Sequence, residues 1–351
     1  MASFIVNKIK IKKNINRLEM AFRAQGLDFK LFYSVKTNYA KQVLVAVKES
    51  HSQYEILSDF EWQLVKEFKP QAVVLNGPAK NINLVEDILE NVNTLYFNID
   101  NDSDFEIIKN ISPDSKNKLK IGLRIYLNAD GVWNRFGYDI SSQNFLDKVK
   151  ELKEQISGIH FHFSTNNFKI PNYQLLLMKI RGFLDEAKIK IEYLDIGGGL
   201  PGANEFIFEQ EIYQKLPKLI SETFPKIRIL SEVGRNVVAD AVDLETKIIS
   251  LKKIGEGKFQ VNIDANVLHF PCVFEKKFWV EYITNEKKIK KPTEIEIYGN
   301  SCMQIDKITD STLIEQEPLI GDRIIIHNVG AYSISQAANF ISQVPKVITN
   351  E

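Results

Sequence analysis

Five features of the sequence place reactive or anion-binding groups directly after short apolar runs. They are Lys36 in YSVKTN, His162 in GIHFHFST, the triplet Gly197, Gly198 and Gly199, and Glu232 and Arg235 in SEVGR. A lysine that ends an apolar strand is desolvated, which favours the neutral amine that forms a Schiff base with an aldehyde. Consecutive glycines let backbone N–H groups approach a phosphate, and an adjacent arginine adds a charged contact. The set predicts chemistry on a phosphate-bearing aldehyde cofactor.

Each feature also has an ordinary structural interpretation. A strand-end lysine can simply extend into solvent, and a glycine triplet is also a common tight turn. His160 and His162 lie two apart on one strand and point to the same side, which raises a metal site of the amidohydrolase kind. That site needs further ligands, whereas the other histidines are His51, His269 and His327 and the pair ends the sixth apolar run. An imidazole beside a cofactor ring explains His162 better, and His160 as a core histidine stays open.

Eight short runs rich in β-branched and aromatic residues recur from residue 31 onward, with helical segments between them. The runs are LFYSVK (31–36), YEILS (54–58), AVVLN (72–76), TLYFNI (94–99), IGLRIY (121–126), GIHFHF (158–163), YLDIGG (193–198) and RILSEVG (228–234). This alternation predicts a parallel sheet with helices outside, and eight strands close a (β/α)8 TIM barrel. A doubly wound open sheet would show the same alternation. In a barrel, the carboxyl ends of the strands meet, so the five features would lie together.

The pattern changes after about residue 238, where four segments alternate or run apolar with little helical spacing, namely AVDLETKIISLKKI, GKFQVNIDA, TEIEIYGNS and DRIIIHNVGAY. We therefore expect a barrel over residues 11–238 and a β-rich, Greek-key-like domain over residues 239–351. The N-terminal FIVNKIKI also alternates with period two, so residues 1–10 would pair into the sheet of the second domain.

Composition disfavours several classes of function. The 351 residues carry 45 Lys+Arg and 45 Asp+Glu, and this neutral balance disfavours non-specific binding to nucleic acid or to an anionic membrane. Two cysteines, Cys272 and Cys302, cannot form a disulfide framework, and no apolar run is long enough to span a bilayer. The first apolar run breaks at Lys8, so we expect no secretory signal and a cytoplasmic protein that acts on a small molecule.

Taken together, the motifs resemble those of the alanine-racemase-fold, or fold-type III, pyridoxal-phosphate enzymes, in the branch of ornithine, diaminopimelate and arginine decarboxylases. YSVKTN resembles the lysine motif of that family, GIHFHFST the histidine motif, and LDIGGGLPG and SEVGR the phosphate and pyridine motifs. GNSCMQID resembles the cysteine motif and NVGAYSIS the tyrosine motif. The six motifs follow the family order over nearly the whole chain. The resemblance implies a barrel, a β-rich second domain and pyridoxal 5'-phosphate as cofactor.

The resemblance also implies roles for individual residues. Lys36 would form the Schiff base with the cofactor, His162 would stack on its ring, and Arg124 would lie near the lysine. Glu232 would keep the pyridine nitrogen protonated, so that the ring accepts electrons when carbon dioxide leaves. Alanine racemases have arginine at that position, so Glu232 favours decarboxylation over racemisation. The residues that would hold the phosphate are Thr165, Gly197, Gly198, Gly199, Gly234, Arg235 and Tyr332.

The cysteine motif carries the implied proton donor and the main departure from the family. Cys302 would return a proton to the substrate α-carbon, although a lone cysteine is otherwise a small buried hydrophobe. In the family this loop comes from the partner subunit, which implies a homodimer with shared active sites. Decarboxylases of basic amino acids usually have an acidic residue directly after the cysteine, where this sequence has Met303. Lys276 or Lys277 stands about where another acidic residue of those enzymes often holds the distal ammonium. We expect a substrate whose far end is a carboxylate or an acyl group, as in siderophore or other natural-product assembly.

Two other functions stay open. A racemase or epimerase on the same fold is disfavoured by Glu232 and by the presence of the cysteine motif. A catalytically silent regulatory homologue that binds a partner protein would lose cofactor contacts. This chain keeps the residues that define those contacts, namely Lys36, His162, Glu232, Arg235, Cys302 and Tyr332.

Overall fold

The computed structural model describes residues 1–126, 134–163, 169–202, 206–275, 278–284 and 290–350. Up to residue 238 its strands and helices are β1 (Ser3–Val6), α1 (Lys8–Arg23), β2 (Asp28–Ser34), α2 (Lys41–Glu49), β3 (Gln53–Ile56), α3 (Asp59–Lys66), β4 (Ala72–Leu75), α4 (Ile82–Asn91), β5 (Thr94–Ile99), α5 (Asp102–Asn110), β6 (Leu119–Tyr126), β7 (Tyr138–Asp139), α6 (Gln143–Leu152), β8 (Ile156–Phe161), α7 (Ile170–Ala187), β9 (Tyr193–Asp195), α8 (Phe206–Thr223), β10 (Arg228–Ser231) and α9 (Arg235–Val238). Beyond it they are β11 (Val242–Gly255), β12 (Lys258–Ile263), β13 (Trp279–Ile283), β14 (Thr293–Tyr298), β15 (Lys307–Ile314), β16 (Arg323–His327) and β17 (Lys346–Thr349).

Eight parallel strands close a barrel within the described part of the chain. β2 to β6 follow one another in chain order, β8, β9 and β10 continue from β6, and β10 pairs with β2. Each of the eight apolar runs in the sequence corresponds to one of these strands, so the prediction of a (β/α)8 barrel is confirmed. The β5–β6 and β10–β2 pairings join the sheet into a ring, which excludes the doubly wound open sheet. The short β7 pairs with β6 outside the ring.

Aromatic side chains from neighbouring strands fill part of the barrel core. Phe32, Val74, Tyr96, Tyr193 and Leu230 form one buried cluster drawn from five barrel strands. The Tyr96 ring meets the rings of Phe32 and Tyr193 edge-on, at centroid distances of 5.5 and 4.9 Å. Edge-on contacts of this kind are the favoured geometry of aromatic pairs, so the cluster fixes the strands below the mouth of the barrel.

Two glycines make room for Tyr193. A Cβ atom on Gly158 of β8 would lie 2.3 Å from Cζ of Tyr193, and one on Gly122 of β6 would lie 2.5 Å from its hydroxyl oxygen. No side chain fits at those distances in a close-packed core. The glycine in GIHFHF is therefore explained by the bulk of Tyr193 on β9, and the glycine in IGLRIY by Tyr193 together with Asn98 on β5.

The N-terminal segment differs from the prediction beyond residue 6. Ser3–Val6 pairs antiparallel with β11 and parallel with β17, as expected for a segment that joins the second sheet. Lys8–Arg23, however, is a helix, so the prediction of a strand over residues 8–10 is wrong. Ile11, Ile15 and Leu18 recur at helical spacing and are all buried, and this stripe outweighs the local alternation of IKIKK.

A largely antiparallel sheet forms the second part of the chain, which confirms the β-rich second domain as a fold. Its strands run in the order β13, β16, β11, β12, β14, β15, with β1 added on β11 and β17 on β1. β12 and β14 are parallel neighbours, and the remaining pairs of that order are antiparallel. The sequence indicated β11, β12, β14 and β16, whereas β13, β15 and β17 were not anticipated.

The chain divides into two compact units. One comprises Lys12–Lys36 and Leu44–Val237, and the other comprises Met1–Ile11, Thr37–Val43 and the residues from Val238 onward. The predicted domain boundaries, 11–238 and 239–351 with 1–10, stay a prediction. Among the described helices, none is both long enough and apolar enough to cross a bilayer.

Candidate active site

Lys36 lies just beyond the carboxyl end of the first barrel strand. β2 ends at Ser34, and Val35–Thr37 turn in one short 3-10 helix. The Lys36 ammonium is 3.2 Å from Oε2 of Glu55 on β3, and the Ser34 hydroxyl donates to the same oxygen at 2.5 Å. The Lys36 side chain is 43% exposed, so the prediction of a desolvated lysine is wrong. Its charge is balanced by a buried carboxylate instead.

Glu232 is a buried carboxylate that directly follows β10. Its Oε1 accepts a 2.6 Å hydrogen bond from the side-chain amide of Asn76, and its Oε2 is 3.3 Å from Nε2 of His160. Its backbone N–H donates to the Gly197 carbonyl at 2.8 Å. This last bond ties the end of β10 to the glycine triplet, so the carboxylate and the triplet lie side by side.

Asp195 and Glu232 bring two buried carboxyl groups together, and their pKa values move in opposite directions. Burial and the Glu232 charge raise the pKa of Asp195 well above its usual value. Burial also disfavours the Glu232 anion, but the contacts with His160, Asp195 and Asn76 outweigh it, and the pKa of Glu232 falls below its usual range. The contacts therefore favour the negative charge on Glu232 and the proton on Asp195.

His162 follows β8 and has a neutral ring. The Gly198 N–H donates to Nδ1 of His162 at 3.1 Å, which leaves the ring hydrogen on Nε2. Burial and the nearby charges of Arg124 and Lys36 lower the pKa of His162 to about 3. A neutral imidazole can lie flat against an aromatic ring without bringing a charge to it.

The glycine triplet passes close to the ends of two neighbouring strands. Gly197 and Gly199 have φ angles of +62° and +78°, in the left-handed region that favours glycine. A Cβ on Gly197 would lie 2.5 Å from the Phe161 carbonyl oxygen, and one on Gly198 would lie 2.5 Å from the Glu232 carbonyl oxygen. Glycine therefore suits each residue of the turn, and the N–H groups of Gly197 and Gly198 donate to Asp195 and His162.

The SEVGR segment lies against the same turn. Gly234 is buried, and its carbonyl accepts a 2.9 Å hydrogen bond from the Val237 N–H at the start of α9. A Cβ on Gly202 would lie 3.2 Å from Cα of Asn236, the residue that follows Arg235. The segment after the triplet and the segment that carries Arg235 are thus brought together, as a joint phosphate site requires.

Arg124 lies on β6 at the end of a chain of charged groups. Its Nε is 3.7 Å from Oδ1 of Asp100, and the Asp100 N–H donates to Asp104 at 2.8 Å. Asp104 in turn is 2.6 Å from the ammonium of Lys80, and both side chains of this pair are buried. Arg124 also acts electrostatically on His162, so it belongs to the same group of residues.

Cys302, Met303 and Tyr332 belong to the other unit. Cys302 is exposed, so the alternative of a buried hydrophobe is wrong, and Met303 is half-buried. Tyr332 has a φ of +59°, and its backbone N–H donates at 2.8 Å to the carbonyl of Thr37, the residue that follows Lys36. Three predicted residues lie outside the described part of the chain, namely Thr165, Lys276 and Lys277.

Several buried polar residues of the site were not anticipated. They are Glu55, Glu61, Asn76, Asn98 and Asp195. All but Glu61 lie within one of the eight apolar runs, and a polar residue inside such a run is the signal that could have found them. In the structure each of the four lies at or near the carboxyl end of its strand. Glu61 is on α3 and accepts from the Leu57 N–H, and burial together with the Glu55 charge raises its pKa to about 7.

His160, Asp195 and Glu232 also form a compact group of possible metal ligands. One ligand atom from each lies within 4.8 Å of the others. These groups already have other contacts, because Glu232 accepts from Asn76 and Asp195 accepts from the Gly197 N–H at 3.0 Å. The raised pKa of Asp195 also opposes metal binding, since a carboxylate ligand must be ionised. His162 lies outside the group, so the two histidines do not offer ligands to one ion here.

The donor set fits pyridoxal phosphate. An ionised, buried Glu232 can hold a protonated ring nitrogen, and a neutral His162 can stack on the ring. The amine of Lys36 can bond to the aldehyde, and the glycine turn with Arg235 can bind the phosphate. Each of these groups comes from the carboxyl end of a barrel strand, where such barrels place their active sites.

Comparison with known proteins gives the same answer. Residues 8–239 match the family model described as the pyridoxal binding domain of pyridoxal-dependent decarboxylases. The chain is 27% identical to antizyme inhibitor 1 of Mus musculus, over 89% of the chain and 75% of that protein. It is 26% identical to diaminopimelate decarboxylase of Helicobacter pylori, over 97% of the chain and 87% of that protein.

A solved structure of the Helicobacter pylori enzyme, complexed with L-lysine, has the same fold. It superposes with a TM-score of 0.84 at 22% identity, over 100% of this chain and 92% of that chain. These findings confirm the predicted family, the barrel with its second sheet, and pyridoxal phosphate as the cofactor. With more than half of its length matched by the family model, the chain belongs to the pyridoxal-dependent decarboxylases.

Proposed function

We propose that this chain decarboxylates an L-amino acid or an amino-acid conjugate. The observation that carries the proposal is the state of Glu232, a buried carboxylate held as an anion by Asn76 and His160 beside the glycine turn. A carboxylate at this place keeps a pyridine nitrogen protonated, and a protonated ring is the better acceptor for the electrons of a carboxylate leaving as carbon dioxide. An arginine there would favour racemisation instead.

Different residues of the chain would hold the aldehyde, the ring and the phosphate of the cofactor. When bound, pyridoxal phosphate supplies an aldehyde for amines and a ring that accepts an electron pair. Lys36 would hold the aldehyde, and Glu55 balances the lysine charge whenever the amine is released. His162 would lie on the ring as a neutral imidazole. The phosphate would be held by Thr165, Gly197, Gly198, Gly199, Gly234, Arg235 and Tyr332, with Arg124 near the lysine.

Cys302 would protonate the substrate α-carbon from the partner subunit of a homodimer. Its exposure is compatible with this role, because a residue that serves a neighbouring copy has to be reachable on the surface of its own chain. The proposal therefore includes a cytoplasmic homodimer in which each active site uses residues of both copies.

The substrate class follows from the side chains around the cysteine. Met303 cannot pair with the ammonium at the far end of a basic amino acid, and Lys276 or Lys277 would repel it. We therefore propose a substrate with a distal carboxylate or acyl group. The test is a comparison of steady-state kcat/KM for ornithine and lysine with that for their N-acylated and distal-carboxylate analogues. Ornithine or lysine as the best substrate would contradict this part of the proposal.

The silent regulatory homologue is the second candidate, because antizyme inhibitor 1 is among the similar proteins. A single experiment distinguishes the decarboxylase from the silent homologue. Purified protein is incubated with pyridoxal phosphate and a panel of amino acids and conjugates, and visible absorbance and carbon dioxide release are recorded together. Release of carbon dioxide from one compound supports the decarboxylase. Cofactor binding without release of carbon dioxide from any compound favours a racemase, and loss of optical activity of the substrate would then reveal racemisation. Failure to bind the cofactor favours the silent homologue.

An exposed lysine on the strand that precedes Lys36 provides the control. Lys36→Ala should abolish carbon dioxide release and the visible absorbance of the bound cofactor. Lys30→Ala removes an exposed lysine from β2, which pairs with Asp28 on the same strand, and should change neither. An active Lys36→Ala variant would show that the amine is assigned to the wrong residue.

A further inference from the structure

Two buried asparagines connect the lysine end of the site to the pyridine end. Asn76 directly follows β4, and its Nδ2 is 2.6 Å from Oε1 of Glu232 and 3.1 Å from Oε1 of Glu55. A single amide group thus donates to two carboxylates, one of which contacts the Lys36 ammonium at 3.2 Å. Since both acids are buried and near one another, their charges would repel strongly without a donor between them.

Asn98 on β5 sets the orientation of Asn76. Its Nδ2 donates to Oδ1 of Asn76 at 2.9 Å and to Oδ2 of Asp195 at 3.2 Å. If the Asn76 amide turned over, its oxygen would face the two carboxylates and its nitrogen would face the nitrogen of Asn98. Either contact is repulsive, because an amide oxygen has no hydrogen to donate and an amide nitrogen cannot accept.

The orientation of Asn98 leaves its own side-chain oxygen without a hydrogen bond to the described residues. Its Oδ1 is buried and has no hydrogen-bond partner among the described residues. The space beside that oxygen is closed by the backbone of β6, where a Cβ on Gly122 would lie 2.1 Å away. The unpaired oxygen shows that the orientation of Asn98 is fixed by what its nitrogen donates to, namely Asn76 and Asp195.

From these contacts, and on the basis of the function proposed above, we infer that Asn76 and Asn98 are positioning residues that link the charge on Lys36 to the charge on Glu232. The pair separates Glu55 from Glu232 while donating to both through Asn76, and Asn98 prevents Asn76 from turning. Neither asparagine needs to touch the substrate. The electron-accepting state of the ring and the charge at the lysine are thereby set by one hydrogen-bonded unit.

The test replaces the amides by carboxyl groups of the same shape. Asn76→Asp and Asn98→Asp are each reconstituted with pyridoxal phosphate, and the visible absorbance of the Lys36-bound cofactor is titrated with pH. Asn76→Asp places a third carboxyl group between Glu55 and Glu232, so the midpoint of the absorbance change should rise by about one pH unit or more. Asn98→Asp lets Asn76 turn and should shift the midpoint in the same direction.

The control is Asn93→Asp, which makes the same change of charge on an exposed asparagine that contacts Gln71. Its midpoint should stay within about 0.2 units of the unchanged protein, since exposed charges are screened. A folded Asn76→Asp or Asn98→Asp protein with an unshifted midpoint overturns the inference, and so does an equal shift in Asn93→Asp. If Asn76→Asp fails to fold, as judged by circular dichroism, Asn98→Asp decides alone.

Kinetics give a second, independent measurement. Because the asparagines act on charge and not on substrate contacts, Asn76→Asp should lower kcat about tenfold or more and change KM by less than about twofold. The absorbance titration requires cofactor binding but no turnover. A protein that binds cofactor and releases no carbon dioxide from any compound would therefore refute the proposed function while the titration still decides the role of the amide pair.

Discussion

The buried pair of Lys80 and Asp104 offers a prediction whose size can be worked out from the structure. The Lys80 ammonium is 2.6 Å from Oδ2 of Asp104, and the exposed fractions of the two side chains are 0% and 1%. Lys80 also donates to the Gly77 carbonyl at 2.7 Å, and Asp104 also accepts the Asp100 N–H. Burial lowers the pKa of Lys80 and raises that of Asp104, and the attraction between the two opposes both shifts.

Lys80→Met is the appropriate change, because methionine keeps an apolar stem where the lysine now lies over the Phe97 ring. Removal of one partner of a buried ion pair costs about 3–5 kcal/mol, since the other charge is left without compensation. For a unit of this size, each kcal/mol lowers Tm by about 2–4 °C, so the expected fall is roughly 6–20 °C. The measurement is Tm by circular dichroism, together with the urea midpoint.

Two further variants show whether the ion pair itself is responsible. Lys215→Met breaks an exposed pair with Glu211 on α8 and should cost no more than about 0.5 kcal/mol. The double variant Lys80→Met/Asp104→Leu removes the stranded charge and should recover part of the loss, although the Asp100 N–H then lacks its acceptor. A loss in Lys80→Met no larger than in Lys215→Met would refute the reasoning.

The cost of Lys80→Met should also depend on pH. Without the lysine, the pKa of Asp104 rises further, because burial then acts without an opposing charge. A carboxyl group with a raised pKa in the folded state binds its proton more tightly there than in the unfolded chain, so its contribution to stability falls as the pH rises. The variant should therefore lose more stability at pH 8 than at pH 5, and an equal loss at both would contradict the assignment.

Three other changes test separate parts of the site. Glu61 has a pKa raised to about 7 from 4.5, so it stabilises the fold below pH 4.5 and loses that contribution as pH rises through 7. Glu61→Gln should therefore flatten the fall in unfolding free energy between pH 5 and 8, by at most about 3 kcal/mol at about 1.4 kcal/mol per pKa unit. Urea titrations at each pH measure this difference. Met303→Asp should raise kcat/KM for ornithine or lysine about tenfold, and no gain would remove position 303 from the account of specificity. Cys302→Ala should slow amine formation about a hundredfold and increase conversion of the cofactor to pyridoxamine phosphate, whereas unchanged rates would show that the thiol has no part in proton transfer.

The barrel could be predicted because its eight strands are buried on both faces and therefore read as apolar runs. TLYFNI and the observed β5 have the same bounds, and the other runs differ from their strands by a few residues at one or both ends. The N-terminal helix was missed for a physical reason. In IKIKK, two isoleucines two apart suggest a strand, and the helical stripe becomes visible only when Ile15, Leu18 and Phe22 are included. Over the short segment IKIKK alone, the two-residue period of a strand fits better than the period of a helix.

The sequence analysis predicted only part of the site, and the residues that it missed share one feature. Lys36, His162 and Glu232 were found because each stands near the end of an apolar run and has a chemistry of its own. Glu55, Asn76, Asn98 and Asp195 stand inside the runs YEILS, AVVLN, TLYFNI and YLDIGG, where a single polar residue reads as part of a strand. Barrel strands deliver functional groups at their carboxyl ends, and this rule, applied to all eight runs, would have indicated Asn76 and Asn98. It would have missed Glu55 and Asp195, because the runs YEILS and YLDIGG extend beyond the observed strands, which end at Ile56 and Asp195.

What a strand-end rule cannot supply is the charge of each group, because charge depends on distances that no single run contains. Glu232 and Asp195 are both carboxyl groups at adjacent strand ends, yet His160 at 3.3 Å and Asn76 at 2.6 Å favour the anion on Glu232, whereas burial and the Glu232 charge raise the pKa of Asp195. Lys36 shows the same dependence, since its partner Glu55 comes from the next strand rather than from its own segment. The sequence identifies the groups that can react. The contacts between strands determine which carboxyl group carries the negative charge that a decarboxylation needs.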